Sequence, residues 1–182
     1  MNTIVMLSGS PAPASRSEKV LQYIGKMLGG QNFTVKMMSV REVSPETLFH
    51  GDYQAAEIVR ISECLARADG VIIVSPVYKV SLTGILKALL DLLPRDIFKG
   101  KPVLPIMVGG TEKHFMALDY ALKPVLSFMK GELLQGVYVL EKWVDQSANP
   151  PIQDENTVRR IEGQIDQLID HIRKNGNVSA NS

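Results

Sequence analysis

Ser8-Gly9-Ser10-Pro11-Ala12-Pro13-Ala14-Ser15-Arg16-Ser17 gathers hydroxyls and one guanidinium just where an apolar segment gives way to a helical pattern. Backbone N–H groups at a helix start, hydroxyl donors and a guanidinium converging on a small volume make a phosphate site. The spacing is neither the G-x-x-x-x-G-K-[ST] of a P-loop nor the G-x-G-x-x-G of a dinucleotide turn, so a terminal monophosphate suits it better than a pyrophosphate. Ser15-Arg16-Ser17-Glu18 also reads as a capping box, with Ser15 as N-cap and Glu18 reaching back to it. Capping accounts for Ser15 and Glu18 but leaves Arg16 and the Pro-restrained stretch unexplained.

A second stretch, Ser75-Pro76-Val77-Tyr78-Lys79-Val80-Ser81-Leu82-Thr83-Gly84, precedes the helical run Ile85-Leu86-Lys87-Ala88-Leu89-Leu90-Asp91. A third, Gly109-Gly110-Thr111-Glu112-Lys113-His114, follows the apolar run Val103 to Val108. Taken singly, a Pro that ends a strand or a Gly pair in a turn is ordinary loop chemistry. Taken together and in this order, they make the sequence resemble the NADPH-dependent FMN reductase family, which pairs a Gly-Ser-Pro…Ser-Arg-Ser loop with a Ser-Pro-x-Tyr loop and a Leu-Lys-x-Leu-Leu-Asp helix. Within that family the sequence resembles the FMN reductases of two-component alkanesulfonate monooxygenase systems, whose Asp-Tyr-Ala-Leu-Lys-Pro-Val-Leu stretch appears here as Asp119 to Leu126. The matching segments run from Ser8 to Leu126, and nothing beyond Val139 carries a motif.

The resemblance implies roles residue by residue. Ser8, Ser10, Ser15, Arg16 and Ser17 belong to the loop that would hold the FMN phosphate. Pro76, Val77, Tyr78 and Lys79 would line the isoalloxazine ring, with Gly109, Gly110 and Thr111 offering backbone donors on its pyrimidine side and His114 close by. Bare glycines let backbone come near a flat ring. His114 is equally well read as a helix-start histidine with a structural hydrogen bond. His50 and His171 have no partner in the sequence, Cys64 reads as a small core residue, and Lys87 with Asp91 reads as an i,i+4 ion pair.

The elements that position these loops alternate. Apolar runs Thr3 to Leu7, Phe33 to Met38, Gly70 to Val74, Val103 to Val108 and Gly136 to Leu140 are separated by segments with apolar residues at helical spacing, such as Val20, Leu21, Ile24 and Leu28. Strict alternation predicts βαβ units and a parallel sheet. Five strands and five helices fit an α/β, flavodoxin-like, doubly wound five-stranded parallel sheet of order 2-1-3-4-5 with helices on both faces. In that order strands one and three are neighbours, and the loops Ser8 to Ser17 and Pro76 to Gly84 share the crevice at the topological switch point. Gln146 to Glu155 reads as a connector, residues 1–174 as one domain, and Asn175 to Ser182 as a flexible, frayed tail.

The segment Phe115 to Lys130 is apolar nearly all round, which predicts burial against another subunit as well as the core. Pro124 has no N–H, so the Tyr120 carbonyl loses its α-helical partner and a kink or π-bulge is expected there. The resemblance implies that Tyr120 lies on a π-helical segment at a tetramer interface and takes part in flavin transfer, and that dimers pair into tetramers.

Composition narrows the remaining classes. In 182 residues, 20 Lys and Arg against 19 Asp and Glu give a net charge of +1, so no global electrostatic footprint for nucleic acid or an anionic membrane exists. One cysteine cannot form an intramolecular disulfide, and no Cys-rich metal spacing is present. No apolar run reaches the ~20 residues of a membrane span. No basic leader precedes the first apolar segment, and the expectation is a cytoplasmic protein with no metal, no nucleic-acid partner and no membrane partner.

The expected activity is hydride transfer from NADPH to FMN, with reduced FMN handed to a partner monooxygenase and FMN behaving more as substrate than as fixed group. Two rivals stand beside it. One is an FMN-retaining NAD(P)H reductase of quinones, azo dyes or metal ions. The other is a flavodoxin-like electron carrier, which generally presents an acidic face that a charge of +1 does not supply. A phosphate-ester binding module leaves Ser75 to Gly84 unexplained. No basic pair in the sequence is assignable to a ribose phosphate, so NADPH over NADH is not decided there.

Overall fold

The computed structural model describes residues 2–179, with side chains through residue 176. Its strands and helices follow in the order β1 (Thr3–Ser8), α1 (Arg16–Gly29), β2 (Thr34–Ser39), α2 (Pro45–His50), α3 (Ala56–Ala66), β3 (Gly70–Pro76), α4 (Gly84–Leu92) and β4 (Pro102–Gly109). They continue with α5 (Lys123–Phe128), β5 (Glu132–Leu133), β6 (Val137–Leu140) and α6 (Glu155–Ser179). All neighbouring strands are parallel in the order β2-β1-β3-β4-β5, with β6 also on β4. This is the expected doubly wound order.

The period-2 alternation of the strands decides which helices cover which face. Val5, Leu7, Val71, Ile73, Val103 and Met107 point to one face, where α3, α4 and α5 cover them through Ile61, Leu89 and Leu126. Ile4, Met6, Ile72, Val74, Leu104 and Ile106 point to the other, under α1 and α6 through Ile24, Leu28, Ile165 and Leu168. Ile72 and Ile73 are both fully buried, on opposite faces of a central strand. Each such side chain contributes ~1.5–3 kcal/mol by leaving water.

The edge strand differs from the expected single fifth strand. It is split into β5 and β6, which lie in succession along β4. The register steps from Val103↔Leu133 to Ile106↔Val137, so the edge carries one extra residue between them. The break falls beside Pro105, which has no N–H to give a neighbour, and the extra residue is taken up near Gly136 at φ 79°. The short helix α2 is a sixth helix that the apolar periodicity did not reveal. The last helix also runs further than expected, through Asn175 to Ser179, with the Asn175 amide donating to the Gly100 carbonyl. Residues 180–182 of the expected tail lie outside the described residues. No helix among the described residues is long and apolar enough to cross a membrane.

Candidate functional site

The C-terminal ends of β1, β3, β4 and β6 share one edge of the sheet, because Ser8 pairs with Val74, Pro76 with Val108 and Gly109 with Leu140. Three of the loops picked out in the sequence therefore meet there. The first two are clamped together: Gly9 N–H donates to the Val74 carbonyl at 2.8 Å, and the buried Thr83 hydroxyl donates to the Gly9 carbonyl at 2.7 Å. Thr83 also caps α4, accepting from Leu86 N–H at 3.1 Å. A Cβ on Gly9 would come within 2.7 Å of Leu86 Cδ2, so a side chain there would have to displace the buried Leu86.

In the first loop Ser15 is the N-cap of α1 and its hydroxyl accepts from Glu18 N–H at 3.1 Å. Only half of the expected capping box forms. The Glu18 carboxylate does not return to Ser15; it accepts from the Ser8 hydroxyl at 2.6 Å and from Arg41 at 3.2 Å. Ser8, Ser10 and Ser17 are buried, and their hydroxyls are engaged by Glu18, the Ala12 backbone and Ser15 respectively. Ser15 and Arg16 form the open rim. The N–H groups of Arg16 and Ser17 take no partner among the described residues, as the first turn of a helix leaves them free for an anion. Arg16 is about half exposed, 4.0 Å from Glu141.

The second loop turns sharply. Tyr78 and Ser81 exchange backbone hydrogen bonds at 2.9 and 3.1 Å across Lys79 and Val80, which have φ of 51° and 61°. Positive φ at both central residues is the hairpin turn that normally takes Asn-Gly, and a β-branched residue there is strained. The turn also leaves Tyr78 48% and Val80 49% exposed on the rim of the crevice. Strain of this kind concentrates at ligand sites.

The third loop shows bare backbone. Tyr138 lies against Gly109 so closely that a Cβ there would overlap its phenol oxygen, and its hydroxyl donates to the Thr111 carbonyl at 2.7 Å. Gly110 has open space beside it, with Glu141 Oε2 the nearest atom, at 3.7 Å from an added Cβ. Burial and the nearby Glu141 carboxylate push the Tyr138 phenol above its ordinary pKa of 10.0, which keeps it a donor. Thr111 caps the short turn Glu112–His114, in which the partly buried His114 sits.

Downstream, Leu118–Leu122 is a π-helical turn, and the Lys123 N–H reaches back to the Leu118 carbonyl. The expected effect of Pro124 is therefore present. Tyr120, on that turn, is 75% exposed and is not a core residue.

The sequence reading did not find Thr83, Tyr138, Glu18 as an ion-pair partner, or Arg41. It also did not find a cavity of about 610 Å³ lined by Phe115, Tyr138, Leu140, Trp143, Thr157 and Arg160, which touches neither the first nor the second loop. Among the described residues no cluster that could hold a metal ion occurs.

A planar, phosphorylated ligand fits these residues. The rim of Ser15, Arg16 and open N–H groups suits a monophosphate; the exposed Tyr78 and Val80 offer apolar surface to a ring; and Gly110 leaves room for backbone to meet a ring edge. A doubly wound sheet with such a crevice at its switch point defines a flavodoxin-like flavin-binding protein. The chain belongs to the NADPH-dependent FMN reductase family, whose model matches residues 2–145. It is an oxidoreductase that works with FMN and NADPH. It is 39% identical over 160 residues to an FMN reductase (NADPH) of Escherichia coli strain K12, covering 87% of this chain and 84% of that protein. A second FMN reductase (NADPH), from Pseudomonas putida strain KT2440, is 42% identical over 136 residues, or 74% of this chain and 69% of that one. Among solved structures, the apo form of the NADH:FMN oxidoreductase EMOB matches with a TM-score of 0.81 at 32% identity, covering 92% of this chain and 88% of that one.

Proposed function

We propose that this chain reduces FMN with NADPH and releases the reduced flavin to a separate monooxygenase. FMN, when bound, supplies the acceptor for the hydride of NADPH, with one proton from solvent, so the protein contributes binding, orientation and polarisation. Arg16 and Ser15 hold the phosphate with the open N–H groups of the first turn of α1. Ser8, Ser10 and Ser17 brace that loop from beneath. Pro76, Val77, Tyr78 and Lys79 line the ring, and Gly109, Gly110 and Thr111 turn backbone toward its polar edge, with His114 beside them. The hydride step requires no general acid or base.

The observation that carries the reading is the meeting of the three loops at one switch-point crevice, clamped by the Gly9–Thr83 bond. The release step is supported by the openness of the crevice rim, where Tyr78 and Val80 stay half exposed. The stretch Asp119 to Leu126, with its π turn, supports an alkanesulfonate-oxidising partner. The exposed apolar side chains Phe115, Met116, Tyr120 and Phe128 support a homo-oligomer, a dimer or tetramer. The protein acts in the cytoplasm, with no nucleic-acid or membrane partner.

Anaerobic reduction by NADPH followed by rapid filtration tests release. Reduced FMN in the filtrate agrees with transfer to a partner. Flavin held on the filter with the protein, together with rapid quinone turnover, would instead identify an FMN-retaining quinone reductase.

A further inference from the structure

A carboxylate under an anion seat needs an explanation. Glu18 lies in the first turn of α1, directly beneath the loop that receives the phosphate, and its residue is only 8% exposed. The Ser10 carbonyl in the same loop is a second acceptor. Left alone, both would repel a phosphate. A single nitrogen, Arg41 Nη1, bonds both: 2.8 Å to the Ser10 carbonyl and 3.2 Å to Glu18 Oε2.

We infer that Arg41 is a positioning residue for the FMN phosphate, holding the Ser10 carbonyl and the Glu18 carboxylate turned away from the seat and neutralising Glu18. The inference rests on the flavin-phosphate reading of the first loop. Arg41 comes from another part of the chain, and strand pairing and a cap bring it here. Ser39 pairs with Ser8 across β2 and β1, so the turn after β2 lies beside the loop after β1. That turn, Val40–Glu42, is fixed by a reciprocal cap in which Arg41 N–H donates to Ser39 Oγ at 3.2 Å and Ser39 N–H donates to Glu42 at 2.8 Å. The other Glu42 oxygen accepts from Arg60 at 2.8 Å. Glu42 is thereby occupied, and the Arg41 guanidinium, 28% exposed, is left to the loop. A guanidinium has five N–H donors, so two bonds do not exhaust it.

The test compares dissociation constants for FMN and for riboflavin, which lacks the phosphate, by flavin fluorescence quenching. In the unmodified protein FMN binds more tightly than riboflavin; equal binding would remove the phosphate seat itself and the inference with it. Arg41→Gln should weaken FMN about ten- to hundredfold, the scale of a lost charge-assisted bond, and leave riboflavin within about twofold. Arg41→Gln/Glu18→Gln removes the unpaired buried carboxylate, folds more readily than the single variant, and should recover most of the lost FMN affinity. Glu18→Gln alone should keep or tighten FMN binding. A preference for FMN that survives Arg41→Gln, equal weakening of both flavins, or a double variant no better than the single one would overturn the inference while leaving the phosphate seat standing.

Discussion

The Tyr138 hydroxyl donates to the carbonyl of Thr111 at 2.7 Å while its ring occupies the space that a side chain on Gly109 would need. The edge strand β6 thus fixes the backbone of the loop after β4, which the proposed function places at the ring edge of the flavin. Tyr138→Phe should cost about 1 kcal/mol of stability and lower FMN affinity by loosening Thr111. The phenol's raised pKa gives the pH sign. The folded protein holds this proton more firmly than the unfolded chain, so its contribution is complete below pH 10.0 and declines as pH rises through the higher folded value. Thermal unfolding of both proteins across that range checks it: the unmodified protein should show an alkaline drop from this group that Tyr138→Phe lacks.

The turn at Lys79 and Val80 trades stability for surface. Replacing the pair with Asn-Gly, which adopts positive φ without strain, should stabilise the fold by about 1 kcal/mol. It should also weaken flavin binding, because Val80 leaves the rim. A turn variant with higher melting temperature and undiminished FMN affinity would show that the strain has no part in the site.

Arg16 stands on the open rim of the loop proposed to hold the phosphate. Arg16→Ala should weaken FMN by ~1.5–3 kcal/mol and riboflavin hardly at all. Equal loss for both ligands in a titration would return Arg16 to a surface role opposite Glu141.

The helix after β4 separates assembly from folding. Leu126 is fully buried and Phe128 is 63% exposed, so Leu126→Glu should unfold the subunit and Phe128→Glu should split the proposed oligomer into folded protomers. Tyr120→Ala should leave melting nearly unchanged, because the ring is exposed, and should alter the amount of FMN that co-purifies. Light scattering with flavin absorbance on the same samples reads all three.

The strands that form the crevice were legible in the sequence because central strands covered on both faces are unbroken apolar runs, as Val71 to Val74 are. Pro124 made a kink or a π-bulge legible, since a missing N–H frees the carbonyl four residues earlier, and the resemblance of Asp119 to Leu126 pointed to the π turn that is present. The loop after β1 stood out from its residue types as a candidate phosphate seat, yet its inner wiring was not legible. Ser15 and Glu18 have the spacing of a capping box, and only the fold reveals that Arg41, 31 positions from Ser10, takes Glu18 away. Tyr138 was hidden for the same reason, because its partner Thr111 is 27 positions away across the β4–β6 pairing. The two-residue strand β5 and the helix α2 are too short to show a period.

Steady-state oxidation of NADPH, with and without added FMN, tests the central claim most directly. Oxidation that requires FMN and saturates with it, with reduced FMN as product, is the predicted result. No FMN-dependent oxidation by folded protein would contradict the assignment as a reductase and leave a flavodoxin-like carrier in its place.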